Sequence, residues 1–283
     1  MRFAAAPAAG LLALSLCALA PPRVAHADEP VFGYTRITEV LPQGAKEIEF
    51  WTTQRSGKGQ GQYTAYDYRV ELEYGFTDKL LGSLYVNGVQ QHIAGVPDLE
   101  DLNQTRENGF SAELKYNILS VYKDPIGLAL YFEPEYTKYN AISGERSTEY
   151  ALEMKLLLQK NFLDDRLIWA LNLSSEFARE QVGDGWAGEA RLGFTTGVSY
   201  RCAPGWYAGV ELDYRTVYPN FATRSAWGLF AGPTIHYGAK NWWATLTWLP
   251  QLEGRATDRE LSSRLQLNEF EQQEIRLLVG FRF

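Results

Sequence analysis

The sequence predicts an all-β chain, a closed antiparallel up-and-down transmembrane β-barrel of about 12 strands. Three observations lead there. Apolar and polar residues alternate with period two in successive short segments. The connections between segments alternate short and long, and the charged residues gather on the face opposite the apolar one. Strand side chains point alternately to opposite faces, so each segment has one oily side and one polar side. The polar side carries too many carboxylates and guanidinium groups for the core of a soluble sandwich, where an unpaired buried charge is very costly. A barrel in lipid inverts the soluble arrangement, and closure removes the two exposed edges of so wide a sheet.

Met1 to Ala27 reads as a cleaved secretory signal peptide. Arg2 is its positive start, Leu11 to Ala20 its apolar stretch, and Ala25-His26-Ala27 its cleavage site. Cys17 follows Leu16 rather than a small residue, which argues against a lipid anchor, and cleavage leaves Cys202 as the single thiol. No later stretch has the 18 or so apolar residues that a membrane-spanning helix requires. A net charge of −7 and a pI near 5.2 argue against a nucleic-acid binder, which needs clustered lysine and arginine. Tyrosine leads the aromatics, with 17 Tyr against 14 Phe and 8 Trp. That bias suits a membrane interface, where a ring with one wet end is favoured.

Asp28 to Gly44 carries Val31, Phe32, Tyr34, Ile37, Val40 and Leu41 without a clean period, so it is expected to be a periplasmic tail or an internal plug. The barrel is expected over 45–283. Its first strand, Ala45–Arg55, sets Ile48 and Phe50 against Glu47, Glu49 and Trp51. The second, Tyr63–Gly75, has the clearest alternation, with Tyr66, Tyr68, Val70, Leu72 and Tyr74 opposing Asp67, Arg69, Glu71 and Glu73. Leu84 and Val86 then oppose Ser83, Tyr85 and Asn87, and a long polar loop is expected from His92 to Asn108. Phe110 to Ile118 alternate with Ser111, Glu113, Lys115 and Asn117. Leu128, Leu130 and Phe132 alternate with Tyr131, Glu133 and Glu135, and Tyr150 to Leu158 with Glu149, Glu153 and Lys155.

The second half continues in the same way. Leu167 to Leu173 oppose Asn172, Ser174 and Glu176, and a long loop is expected before Glu189. Leu192, Phe194 and Val198 oppose Glu189, Arg191 and three small residues, and Val210, Leu212 and Tyr214 oppose Glu211, Asp213 and Arg215. Leu229 and Ile235 lie opposite Gly228, Gly232 and His236. Leu246 and Trp248 oppose Trp243, Thr245 and Thr247, and a last loop is expected from Pro250 to about Asn268. The closing strand, Glu274–Phe283, sets Ile275, Leu277, Val279 and Phe281 against Glu274, Arg276, Leu278 and Arg282. Pro134 and Pro233 fall at oily positions inside strands. Each removes a ladder hydrogen bond, so a bulge or a place near the membrane boundary is expected there.

The terminal Phe281-Arg-Phe283 resembles the closing strand of bacterial outer-membrane barrels, and the resemblance implies that Phe281 and Phe283 form the signal read by the barrel-assembly machinery. Leu41-Pro-Gln-Gly-Ala-Lys-Glu-Ile-Glu-Phe-Trp51 and the Tyr74-Gly-Phe-Thr-Asp-Lys-Leu80 hairpin look like motifs of an uncharacterised proteobacterial outer-membrane barrel family, a domain of unknown function. More loosely, the chain resembles the MetA-pathway phenol-degradation barrels, which are assigned to transport. These resemblances imply an outer-membrane location and name no solute.

The function expected is a passive channel for small solutes with an acidic, weakly cation-preferring lumen. Its lining is expected to comprise Glu47, Glu49, Asp67, Arg69, Glu71, Glu73, Glu113, Lys115, Glu133, Glu135, Glu153, Lys155, Glu189, Arg191, Glu211, Asp213, Arg215 and Arg276. Walls of carboxylates concentrate cations in a narrow polar pore. Gly193, Gly197, Gly209, Gly228 and Gly232 leave bare wall, with room for a solute or for the 28–44 segment. The alternative is a structural or surface-interaction barrel whose charges pair and fill the lumen. A hydrolase needs a nucleophile with a base, and only His92 and His236 remain after cleavage, far apart in the expected strands. No catalytic group, metal site or cofactor is expected. Asp98, Glu100 and Asp101 read as a solvated loop rather than a cation bridge to lipopolysaccharide. The expected partners are outer-membrane lipid and lipopolysaccharide, the assembly machinery and small solutes, with the chain a monomer.

Overall fold

Period-two alternation becomes twelve antiparallel strands in the computed structural model, which describes residues 29–256 and 264–283. They are β1 (Lys46–Ser56), β2 (Gln62–Thr77), β3 (Leu80–Ala94), β4 (Leu102–Leu119), β5 (Gly127–Tyr139) and β6 (Arg146–Phe162). The second half comprises β7 (Leu167–Val182), β8 (Gly185–Ala203), β9 (Trp206–Pro219), β10 (Ala226–Gly238), β11 (Trp242–Ala256) and β12 (Gln273–Arg282). Each strand pairs with its sequence neighbours, and β1 pairs with β12 from Glu47↔Arg282 to Ser56↔Gln273, closing the ring. Every strand is therefore paired on both sides, as lipid requires of a sheet that crosses it. The signal-peptide reading falls outside the described residues.

The apolar face points outward. Leu84, Val86 and Phe110 are each 60 % or more exposed, whereas Glu49, Glu71, Glu113 and Glu133 are buried. Bonds between strands that are not neighbours fix the other face as the interior: Arg69 on β2 reaches Glu133 on β5, and Arg215 on β9 reaches Glu274 on β12 at 2.5 Å. Two runs of outward aromatic rings mark the interfaces. Near one rim Trp206, Tyr237 and Trp242 follow one another at 4.7 and 5.4 Å, and toward the other Tyr136, Tyr150 and Trp186 do so at 5.4 and 6.0 Å. Such rings hold an apolar body in lipid and a polar edge in water.

Connections after even strands gather at one end, hereafter the turn end, and those after odd strands at the loop end. Three expected loops are shorter than the sequence indicates. Residues 92–94 continue β3, and His92 pairs with Asn103 of β4 instead of lying in a loop. β7 and β8 meet at Gly183-Asp184 with no long loop, and β11 runs on to Ala256. In each case the strands pass beyond the oily zone into water, where both faces are polar and the alternation used to recognise them fades. Conversely, residues 120–126 make a longer connection at the turn end than simple alternation predicts.

The two prolines behave differently. Pro134 is exposed on the oily face, and the β4 ladder passes from Ser111↔Glu135 to Leu114↔Phe132 in unchanged register, so the missing N–H is met by skipped pairs and not by a bulge. At Pro233 the β11 ladder is interrupted between Phe230↔Gln251 and Thr234↔Thr247, next to a register shift at Leu229/Phe230.

Candidate functional site: an occupied lumen

The interior is not filled by strand side chains alone. Residues 29–41 enter at the turn end beside β10–β12, rise toward mid-barrel at Gly33–Arg36, and return to the turn end beside β2–β6. Val31, Phe32, Ile37 and Leu41 are all buried, and Phe32 packs with Ile168, Ala170 and Tyr207. The segment lacks a period because its apolar residues do not share one face. Val31, Phe32 and Ile37 share one niche with Ile168, Ala170 and Tyr207, and Tyr34 fills another with Val217, Phe230 and Leu249. Gly197 supplies one of these niches: a Cβ there would sit 2.5 Å from the Phe32 ring. The bare inward wall thus meets the lead segment at this point.

Polar groups of the segment are satisfied by inward side chains. The Glu211 carboxylate accepts the backbone N–H groups of Gly33, Tyr34 and Thr35 at 2.7, 2.9 and 2.9 Å, and also the Thr247 hydroxyl at 2.8 Å. Three successive amides converging on one carboxylate form an anion nest made from plain backbone. Asn172 accepts from the Arg36 N–H at 2.6 Å and donates to the Arg36 carbonyl at 2.8 Å. Gln159 accepts from the Thr38 N–H at 2.8 Å, and Asn117 donates to the Thr38 carbonyl at 2.7 Å. These neutral groups give no charge signal in the sequence. Recognising them there would have needed the inward positions of β4, β6 and β7 to be read as sockets for backbone.

Arg36 spans the lumen, its backbone held by Asn172 of β7 and its side chain reaching β3 and β4. Its guanidinium donates to Glu113 and to the Tyr85 hydroxyl at 3.0 Å each, and lies 4.7 Å from the Trp51 ring centre and 5.6 Å from that of Tyr131. At the turn end Glu29 accepts from Arg282 at 2.8 Å and meets His236 Nε2 at 3.0 Å. Burial alone would raise the Glu29 carboxyl, but His236 and Arg282 outweigh it and hold the group below its ordinary value. Glu39 is the reverse case. Burial dominates there, despite hydrogen bonds from Gln159 and Tyr122, and its carboxyl is raised.

Outward of Phe32–Arg36 lies a cavity of about 410 Å³ walled by charged groups and reaching loop residues Ala141, Ile142 and Glu269–Glu271. Of the residues singled out from the sequence, Asp67, Arg69, Glu133, Glu153, Lys155, Arg191, Asp213, Arg215 and Arg276 line it. Most of these charges are matched: Arg69 with Glu133 and Glu135, Lys155 with Glu153 at 2.9 Å, Arg191 with Glu189 at 2.7 Å, and Arg215 with Asp213 at 2.7 Å. Arg276 instead donates to Thr53 and to the Gly33 carbonyl, with its guanidinium 3.9 Å from the Tyr34 ring centre. Glu47, Glu49, Glu71, Glu73, Glu113 and Lys115 are buried away from this cavity, Glu211 beneath the nest, and Glu135 lies in a smaller adjoining cavity. Part of the last loop folds in as well. Phe270 packs edge-on against Phe230 at 6.0 Å, and the buried Lys58 donates to the Phe270 carbonyl at 3.0 Å. Burial lowers the Lys58 ammonium below its usual value even with Glu271 beside it.

The two histidines are separated. His92 is exposed on β3, while His236 is buried between Glu29 and Thr245, next to Trp243. Phe281 and Phe283 are exposed at the turn end, Phe283 at 74 %.

No curated protein matches the chain in sequence. Among solved structures, it is similar to the COG4313 outer membrane channel from Pseudomonas putida F1, with a TM-score of 0.60 and 15% identity over 87% of this chain and 98% of that one. The KdgM porin in complex with disordered oligogalacturonate gives 0.47 and 14% over 84% and 99%, and Omp33 of Acinetobacter baumannii gives 0.39 and 10% over 85% and 99%. The first likeness supports the same fold, a barrel of the outer-membrane type. Residues 24–283 match one family model across the whole barrel, and the chain belongs to that family, DUF6662, a family of unknown function.

Proposed function

We propose that this chain is a passive outer-membrane channel for small solutes, held shut by its own 29–41 segment and conducting when that segment leaves the lumen. One observation carries the reading. The segment is bonded across the lumen at Arg36, while a charged cavity stands open on its loop-end side. A barrel meant only as a scaffold has no need of a water-sized vestibule above a seal. With the segment withdrawn, Glu113, Glu211 and the carboxylates of β1 and β2 would outnumber the cations left at that level, which supports a weak cation preference. No step of this reading requires a nucleophile or a cofactor.

The density of bonds to the segment favours a second reading, a permanently occluded barrel that serves as a structural or surface-interaction element. Planar-bilayer recording separates the two. The channel reading expects rare openings of the full chain and steady cation-preferring conductance once residues 29–41 are deleted. A folded deletion variant that passes no current supports the occluded barrel.

A further inference from the structure

On the inner face of β1 and β2, four glutamates form a two-by-two block: Glu47 pairs directly across the ladder with Glu73, and Glu49 with Glu71. Like charges placed directly opposite one another destabilise a sheet. All four are buried, Glu71 completely. Glu47, Glu49 and Glu73 each bring one carboxylate oxygen within 4.8 Å of the others. Two of the carboxylates are also fixed from behind by indole N–H donors, Glu47 by Trp243 and Glu49 by Trp51 at 2.7 Å.

Two nearby cations already serve other carboxylates. Arg282 is shared between Glu47 at 2.9 Å and Glu29 at 2.8 Å, and Arg36 is committed to Glu113. Glu71, at the fourth corner beside Glu49 and Glu73, is fully buried and has no hydrogen-bond partner on either oxygen. A buried carboxylate without a donor is among the costliest groups a fold can hold. A shared proton or a bound cation would stabilise it.

We propose that the Glu47–Glu49–Glu71–Glu73 block is a binding site for a hard divalent cation, with calcium the best match. The donor set is oxygen only, which suits calcium or magnesium and not zinc or copper. Calcium takes oxygens at about 2.3–2.6 Å, so two ligands of one ion lie within about 5 Å of each other, the spacing already present among Glu47, Glu49 and Glu73. Magnesium demands a tighter octahedron and keeps its waters, which a buried block of long carboxylates serves less well. The ion would offset the like-charge contacts. Through Glu47, Arg282 and Glu29 it would also brace the point where the lead segment enters the barrel. The site does not depend on whether the lumen conducts.

Terbium luminescence tests the proposal, because Trp51 and Trp243 touch two of the ligands and would sensitise a bound Tb3+. The full chain, folded in detergent micelles and stripped of metal, is titrated with Tb3+ under tryptophan excitation. The expected result is saturable emission that Ca2+ displaces. It should weaken at least tenfold in Glu49→Gln and be unchanged in the loop variant Glu100→Gln. If Glu49→Gln does not fold, Glu73→Gln takes its place. Absence of Ca2+-displaceable emission would overturn the site and leave the carboxylates holding shared protons. Emission lost in Glu100→Gln but retained in the glutamate-block variants would overturn it too, placing the ion in the loop.

Discussion

Replacing Glu211 by alanine removes the anchor at the top of the lead segment. Three backbone N–H groups, of Gly33, Tyr34 and Thr35, lose their acceptor together. A buried donor left without a partner costs about 1–3 kcal/mol, so even the low end of the range sums to about 3 kcal/mol against the docked segment. At roughly tenfold per 1.4 kcal/mol, the undocked fraction rises about a hundredfold. The penalty falls on the docked state alone, because a withdrawn segment finds water for its amides. Single-channel recording of Glu211→Ala should therefore show open probability up by about two orders of magnitude, with little change in unit conductance. Glu211→Gln keeps an accepting oxygen in much the same volume and should fall between the two. If Glu211→Ala and the parent, both folded by heat-shifted electrophoretic mobility, gave indistinguishable traces, the nest would not be what holds the segment.

Three further outcomes follow from the same geometry. Gly197→Val puts methyl groups into the Phe32 ring, so conductance should rise while the β-sheet circular dichroism stays the same. The titrations of Glu29 and Glu39 act in opposite directions. Glu29 is lowered, so its support for docking is present above the free carboxyl value of 4.5 and is lost as pH falls below it; opening should increase in acid, less so in Glu29→Gln. Glu39 is raised, so its contribution is complete below 4.5 and lost as pH rises through its docked value. Glu39→Gln should reduce opening at pH 7 and change little at pH 4, read as open probability against pH. Finally, deleting Phe283, the exposed terminal ring, should lower the amount of chain recovered in the outer-membrane fraction several-fold without changing the fold of what is recovered; equal recovery would remove it as an assembly signal.

The barrel wall was legible because lipid imposes a strict period of two: from Tyr66 to Tyr74 of β2 the aromatic and aliphatic residues face out and Asp67, Arg69, Glu71 and Glu73 face in. The same rule stops working where strands leave the membrane, as for Asn103–Asn108 and the tip of the β7–β8 hairpin, since water accepts polar residues on both faces. The lead segment was harder still. Phe32 and Ile37 pack in one cluster with Ile168, Ala170 and Tyr207 while Tyr34 turns to Val217, Phe230 and Leu249, so no period exists to find, and its best partners, Asn172, Gln159 and Glu211, look like ordinary pore polarity. Of the five inward glycines that left room for it, Gly197 is the one that meets a ring of the segment, Phe32. The buried block around Glu71 was visible only as separate acidic positions. That Glu47 lies across from Glu73 depends on the register of β1 with β2.

The lead segment is continuous with β1, and it is pinned to the β2 hairpin at Gly75, which accepts from the Gly44 N–H and donates to the Ala45 carbonyl. A segment that lets go therefore stays tethered at the turn-end mouth. Its effective concentration there is set by a link of a few residues, in the millimolar range or above. Return to the lumen is then a first-order event, independent of how much protein the membrane holds. Openings should be brief flickers with one characteristic dwell time, and synthetic peptide of the same sequence should compete poorly for the vacated seat.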